Sequence, residues 1–351
     1  MNKAMTRIKK LTEYRLFLPI FCLVLVLFSN LIKTPGFFEV TIKNGVLYGY
    51  IIDVINRASD LVILSVGMTL VVAASGGTDI SVGAVMSVAG AVCCYILAGG
   101  QQTVNEFANP YLLGVLAAIL AGALCGCFNG FLVAKLNIQP MVATLILFTA
   151  GRGIAQLITK GQITYIRVES YKMLGSSIPG IPIPTPVFAA LFVVLLTYVL
   201  LKKTTLGLYI QTVGINAKAS RLMGIKSSMI IFLSYVFCGL CAGISGLVAS
   251  SRIYSADANN IGLNLELDAI LAVALGGNSL AGGKFSLLGS VIGAYTIQAL
   301  STTLYAMGVS PDQIPVYKAI VVVVIVALQS TELKRMVNKL QMNINSGKKV
   351  A

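Results

Sequence analysis

Few side chains in this sequence are equipped for chemistry, and those that are stand where apolar stretches are interrupted. The first is Asp79, which follows Gly76-Gly77-Thr78 directly behind one apolar run and just ahead of the next. Two glycines permit a sharp reversal, and Thr78 or Asp79 can accept hydrogen bonds from the free amides of a new helix. One reading is therefore a cap at a tight turn. The other is a broken helix whose exposed backbone lines a polar pathway, an arrangement a bilayer tolerates only beside a water-filled cavity. A second interruption, Ala274-Leu-Gly276-Gly277-Asn278-Ser-Leu-Ala-Gly-Gly283-Lys284, lies in the other half of the chain. Glycine breaks in corresponding halves point to transporters built from pseudo-repeats.

Polar residues inside apolar runs form the next group. Arg152, in Gly151-Arg-Gly153, falls about halfway along its run, where a guanidinium needs a partner or water; cavity lining and a structural ion pair both fit. Asn129, Gln298 and Asp268 also have apolar surroundings, and Lys318, near the end of a run, is expected to snorkel toward the headgroups. The amides of Asn129, Asn278 and Gln298 suit the hydroxyls of a neutral ligand.

Other chemistries are excluded. The chain has no histidine, so histidine triads and histidine metal sites are impossible. All seven cysteines lie inside apolar runs and read as buried reduced thiols. A phosphate loop fails at Lys284, because Asn278 stands at its first glycine position and Phe285 where the hydroxyl is required. Aspartyl chemistry would need Asp79 and Asp268 to share a site, and Asp268 sits in no known partner motif. No metal or cofactor is expected.

The elements that must position these residues are set by composition. Of 351 residues, 57% are hydrophobic and 11% charged, with a mean hydropathy of +0.88; a soluble domain carries about 25% charged residues. Ten apolar runs stand out: Leu16–Ile32, Leu61–Ser75, Ile80–Ala98, Pro110–Ala134, Met141–Thr159, Pro186–Leu201, Met229–Ser251, Ile270–Gly283, Phe285–Met307 and Val316–Gln329. The fold class is all-α, a polytopic membrane protein of about ten helices. Leu61–Ser75 and Ile270–Gly283 are short enough to be broken or re-entrant, and Asn44–Ala58 is expected outside the bilayer core. The first run lacks a small-x-small cleavage site and reads as a span, not a removed signal.

Charge supports this count. Lys135, Lys202, Lys203, Lys218, Arg221, Lys226 and Lys284 fall on the side of both basic termini, whereas Glu39, Asp53, Asp60, Glu106, Glu169, Asp257, Glu266 and Asp312 fall on the other. By the positive-inside rule both termini are cytoplasmic. The net charge of +14 thus reflects topology and lipid headgroups, not nucleic acid. The domain expectation is a cytoplasmic segment 1–15, a membrane domain 16–330 and a cytoplasmic tail 331–351. Within the inward loop 202–228, Asn216 to Leu222 reads as a short helix, with Asn216 as its cap and Gly224 as its stop. Such a helix suits docking against a partner.

Together these residues resemble the permease subunits of ATP-binding-cassette importers for ribose, arabinose and galactose. The matching stretches are Gly67-Met-Thr-Leu-Val with Ser75-Gly-Gly-Thr-Asp79-Ile-Ser-Val-Gly83, Gln139-Pro-Met-Val-Ala-Thr144, Gly151-Arg-Gly153, and Val213-Gly-Ile-Asn-Ala-Lys-Ala-Ser-Arg221 with Gly224-Ile225. Within that class the chain is similar to galactofuranose permeases through Asp53-Val-Ile-Asn-Arg57, Gln156-Leu-Ile-Thr-Lys-Gly-Gln162, Ala256-Asp-Ala-Asn-Asn260 and Leu265–Val273. Thr78 departs from the aliphatic residue usual there. The resemblance implies a bacterial inner-membrane pathway for a monosaccharide, formed with a second permease copy or a homologue. It also implies a cytoplasmic ATPase and an extracytoplasmic sugar-binding protein. Gly214, Asn216, Lys218, Ala219, Arg221, Gly224 and Ile225 would form the coupling segment, and Asp79, Asn129, Arg152, Asn278 and Gln298 would be candidates for the pathway. The alternative is an ATP-independent facilitator or an ion-coupled carrier.

Overall fold

The computed structural model describes residues 16–43 and 45–329; the terminal segments 1–15 and 330–351, which include the tail expected at 331–351, and residue 44 lie outside the described residues. Helices α1 (Phe17–Lys33), α2 (Tyr50–Ser75), α3 (Val82–Leu97), α4 (Tyr111–Ala134), α5 (Pro140–Ile158), α6 (Glu169–Lys172) and α7 (Thr185–Lys203) come first. They are followed by α8 (Leu206–Ile215), α9 (Ala217–Leu222), α10 (Ser227–Arg252), α11 (Leu265–Leu275), α12 (Leu287–Ala306) and α13 (Ile314–Gln329). Among the described residues, α2, α4, α5, α7, α10 and α12 are each long and apolar enough to cross a bilayer. The other apolar runs fall on the shorter helices α1, α3, α11 and α13.

Helix α2 is the axis of the bundle. Every residue from Ala58 to Ala74 is buried, as expected of a helix that is apolar all round and enclosed by protein. Helices α10, α12, α7 and α11 pack around it. The expectation that Leu61–Ser75 is short or broken is corrected: α2 is one unbroken helix of 26 residues beginning at Tyr50, so residues 50–58 are its opening turns. Asp60 tolerates burial because a distant helix end answers it. Arg252, closing α10, donates to Asp60 at 2.5 Å and to the Asn56 carbonyl.

Helices α4 and α10 meet through glycines. Gly122 and Gly126 lie against Gly239, Gly243 and the Tyr235 carbonyl; a Cβ on Gly122 would stand 2.4 Å from the Gly239 oxygen. Apolar side chains gain little by meeting each other inside lipid, so close backbone approach supplies the dispersion that holds such helices together. Lys318 does not snorkel. Its ammonium sits 2.7 Å from Asp268 and joins α13 to α11, which gives both charges a partner.

The two ends of the bundle differ. At one end short strands lash the loops: β1 (Thr41–Lys43) pairs antiparallel with β2 (Val46–Tyr48), and β3 (Thr103–Val104), β4 (Thr164–Ile166) and β5 (Ser255–Ala256) form a small mixed sheet. These strands are the only departure from the all-α expectation among the described residues. Tyr171, buried beneath the sheet, links Ser250 at 2.8 Å and Cys94 at 3.2 Å through its hydroxyl. The opposite end carries Lys135, Lys202, Lys203, Lys218, Arg221, Lys226 and Lys284, all exposed. All seven cysteines are free thiols.

Candidate functional site

The first interruption begins where α2 ends on Gly76, whose backbone is left-handed (φ 64°), a conformation open to glycine. Only six residues, Gly76 to Ser81, separate α2 from α3. Asp79 is 2% exposed, and its carboxylate accepts from the Ser81 amide at 2.9 Å and the Ser81 hydroxyl at 2.6 Å. The Asn129 amide on α4 completes this knot, donating to the Ser81 hydroxyl at 2.8 Å with both Asp79 oxygens 3.5 Å away. Ile80 donates its amide to the Thr144 hydroxyl on α5 at 3.2 Å. The break is thus pinned by α4 and α5, and its carboxylate acts as the acceptor that starts α3.

The second interruption has the same design with an amide at its centre. Asn278, 8% exposed, donates to the Val273 carbonyl at 3.0 Å and the Ser290 hydroxyl at 2.8 Å, and accepts from the Ser286 amide at 2.6 Å. Ser290 in turn receives a bond of 2.6 Å from Thr69 on α2. Ser286 caps α12 by accepting from the Gly289 amide.

The two breaks touch, and the short basic-end helix joins them. The Gly283 amide donates to the Ala73 carbonyl at 3.0 Å. Gly214, near the end of α8, presses against the same pair: a Cβ there would lie 1.7 Å from the Ala73 oxygen and 2.6 Å from the Gly283 nitrogen. Gly282 completes the contact between Gly76 and the Gly214 carbonyl. Asn216 accepts from the Ala219 amide at 3.0 Å and so caps α9, and Gly224 leaves it with φ 85°. Ser220 and Ile225 face inward, while Lys218, Ala219 and Arg221 are exposed beside Leu222, 91% exposed, and Met223. The three segments are each recognisable in the sequence, but their meeting point is not, because the contacts join positions far apart in the chain.

Arg152 and Gln298 lie elsewhere. Arg152 donates to the backbone carbonyls of Ala258, Asn259 and Ile261 at 3.3, 2.9 and 3.2 Å, fastening a loop of the far end onto α5. Within that loop Asp257 accepts from the Asn259 and Asn260 amides. Gln298, on α12, bonds Thr302 one turn along at 3.3 Å. A feature that sequence reasoning missed is the open face of α5. Where the exposed faces of α4 and α7 are mostly leucines and aromatics, α5 exposes Thr149, Ala150, Gly153 and Gln156 alongside Ile154 and Leu157 through its second half. Gln156 donates to Asn259 at 2.6 Å, and a shallow cavity of about 520 Å³ lies against this face, lined by Ala150, Gly153, Ile154, Gln156 and Leu157. The signal was present as Thr149, Gly153 and Gln156 at helical spacing.

A multi-pass helical bundle with paired interruptions, tied at one end to an exposed basic helix, is built as a membrane permease. Residues 50–329 match the family of permease components of branched-chain amino acid transport systems, and the chain belongs to that family. Among its relatives, the galactofuranose transporter permease protein YtfT of Escherichia coli is 46% identical, over 88% of this chain and 87% of the relative. The fructose import permease protein FruF of Bifidobacterium longum is 39% identical over 83% and 80%. The ribose import permease protein RbsC of Escherichia coli is 36% identical over 85% and 88%. No solved structure matches the chain.

Proposed function

We propose that this chain is the permease component of an ATP-binding-cassette importer that carries a monosaccharide inward, galactofuranose or a similar sugar, under the drive of a separate ATPase. The observation that carries this reading is the junction of Ala73, Gly214 and Gly283. A load applied to α9 passes through Gly214 into the end of α2 and the loop before α12, the two interruptions of the bundle. Packed contacts of this kind transmit displacement as discrete shifts, because a close-packed interior does not deform smoothly. Relatives named as sugar import permeases supply the substrate class.

In this reading Lys218, Arg221, Leu222 and Met223 seat in a cytoplasmic ATPase, which places the basic end and both termini inside the cell, in the plasma membrane. The far end, with its strand-lashed loops, receives a sugar-binding protein. Asp79, Asn129 and Asn278 are enclosed by protein, which supports a role in shaping the two breaks over direct contact with sugar. The pathway runs along the mixed face of α5 that carries Thr149, Gly153 and Gln156, facing a second permease copy. Arg152 holds its outer mouth, and Gln298 lies apart from it.

The test is accessibility. In a cysteine-free background, single cysteines at Thr149, Gly153 and Gln156 should react with a small hydrophilic maleimide, and cysteines at Leu116 and Leu120 on α4 should not. Equal protection of both sets would remove α5 from the pathway.

A further inference from the structure

We propose that the basic end holds an anionic phospholipid, its tail in an apolar cavity between α2, α7, α8 and α10 and its phosphate on the lysines at the end of α7. The cavity measures about 240 Å³ and is walled by side chains that include Leu70, Leu201, Ile210, Phe237 and Leu240. Its two hydroxyls are already engaged: Thr197 donates to the Val193 carbonyl at 2.7 Å and Ser234 to the Ile230 carbonyl at 2.9 Å. A site whose polar groups are satisfied internally gives water or a sugar nothing to bind, so its occupant is a hydrocarbon chain.

A second cavity of about 430 Å³ adjoins it across Leu201, on the other face of α8. Its wall is mixed, adding Tyr198, Lys202, Gln211 and Ser286 to apolar residues such as Leu208 and Leu288. Lys203 extends the positive rim from the end of α7, and Lys284 stands beside Phe285, another lining residue; all three lysines are exposed. Among the described residues none of them forms an ion pair. The loops of this end (residues 76–81, 135–139, 204–226 and 276–286) hold one carboxylate, Asp79, which is enclosed. Lysines without a carboxylate partner among the described residues, beside an apolar cavity that can take part of an acyl chain, are complementary to a lipid phosphate.

The experiment is native mass spectrometry of the delipidated full chain with phosphatidylglycerol or phosphatidylcholine of the same acyl chains. Phosphatidylglycerol should bind at least about tenfold more tightly and raise the thermal unfolding temperature. The surface variant Lys202→Gln/Lys203→Gln/Lys284→Gln should lose that preference. Leu240→Trp, which fills the tail cavity without altering charge, should weaken both lipids. Should Leu240→Trp fail to fold, the lysine variant alone decides. Equal binding of the two lipids by the unaltered chain, or a preference that survives the lysine changes, would overturn the proposal.

Discussion

The amide of Gly283 donates to the carbonyl of Ala73 across 3.0 Å, and Gly214 is packed so tightly against this bond that no side chain fits. Gly214→Ala should therefore force α8 away from the two breaks. Overpacking of this kind costs about 1–3 kcal/mol, so the variant should insert in the membrane with a lowered unfolding temperature. Its ATP hydrolysis with partners should persist while sugar uptake falls. Uptake equal to the parent would show that force does not travel through this contact.

Asp79 should behave as a structural acceptor. Asp79→Ala strands the Ser81 amide and hydroxyl donors, while Asn129 keeps its bond to the Ser81 oxygen, and each buried group left unpaired costs about 1–3 kcal/mol. Asn129→Leu should lower thermal stability too, but less, since Asp79 keeps both bonds from Ser81. Comparing the two unfolding curves checks the order.

Lys318 and Asp268 should be coupled. Removing one partner of this partly buried pair leaves an uncompensated charge, at a cost below the roughly 3–5 kcal/mol of a fully buried one, whereas replacing both can be neutral. Lys318→Met and Asp268→Leu should each destabilise the chain strongly, and the double variant should recover most of the loss. Additive losses would show that the 2.7 Å contact carries no energy.

Packing of α4 on α10 should be intolerant of size. Gly126→Leu places a side chain against the Tyr235 carbonyl and should abolish monodisperse expression, whereas Gly153→Leu, with open space around it, should not. Size-exclusion profiles of the two variants make the comparison.

Much of this architecture was legible in the sequence. Charge-free runs located the helices, and lysine placement told the two ends apart. Asn216 and Gly224 bracketed α9 because caps are local chemistry. What escaped was non-local. Asp60 looked like the boundary of a span because its partner, Arg252, lies on α10. Lys318 looked unpaired for the same reason. The α4–α10 seam was written as Gly122, Gly126 and Gly130 facing Gly239 and Gly243, yet in a chain of 34 glycines that spacing does not stand out. The mixed face of α5 became visible only once the neighbouring helices proved to be mostly leucine-covered.

Reconstitution tests the central claim most directly. Proteoliposomes containing this chain with its ATPase, loaded with ATP and given sugar with the binding protein outside, should accumulate sugar above the external concentration. Vesicles holding the chain alone should not. Accumulation by the chain alone, under an ion gradient or none, would contradict the account.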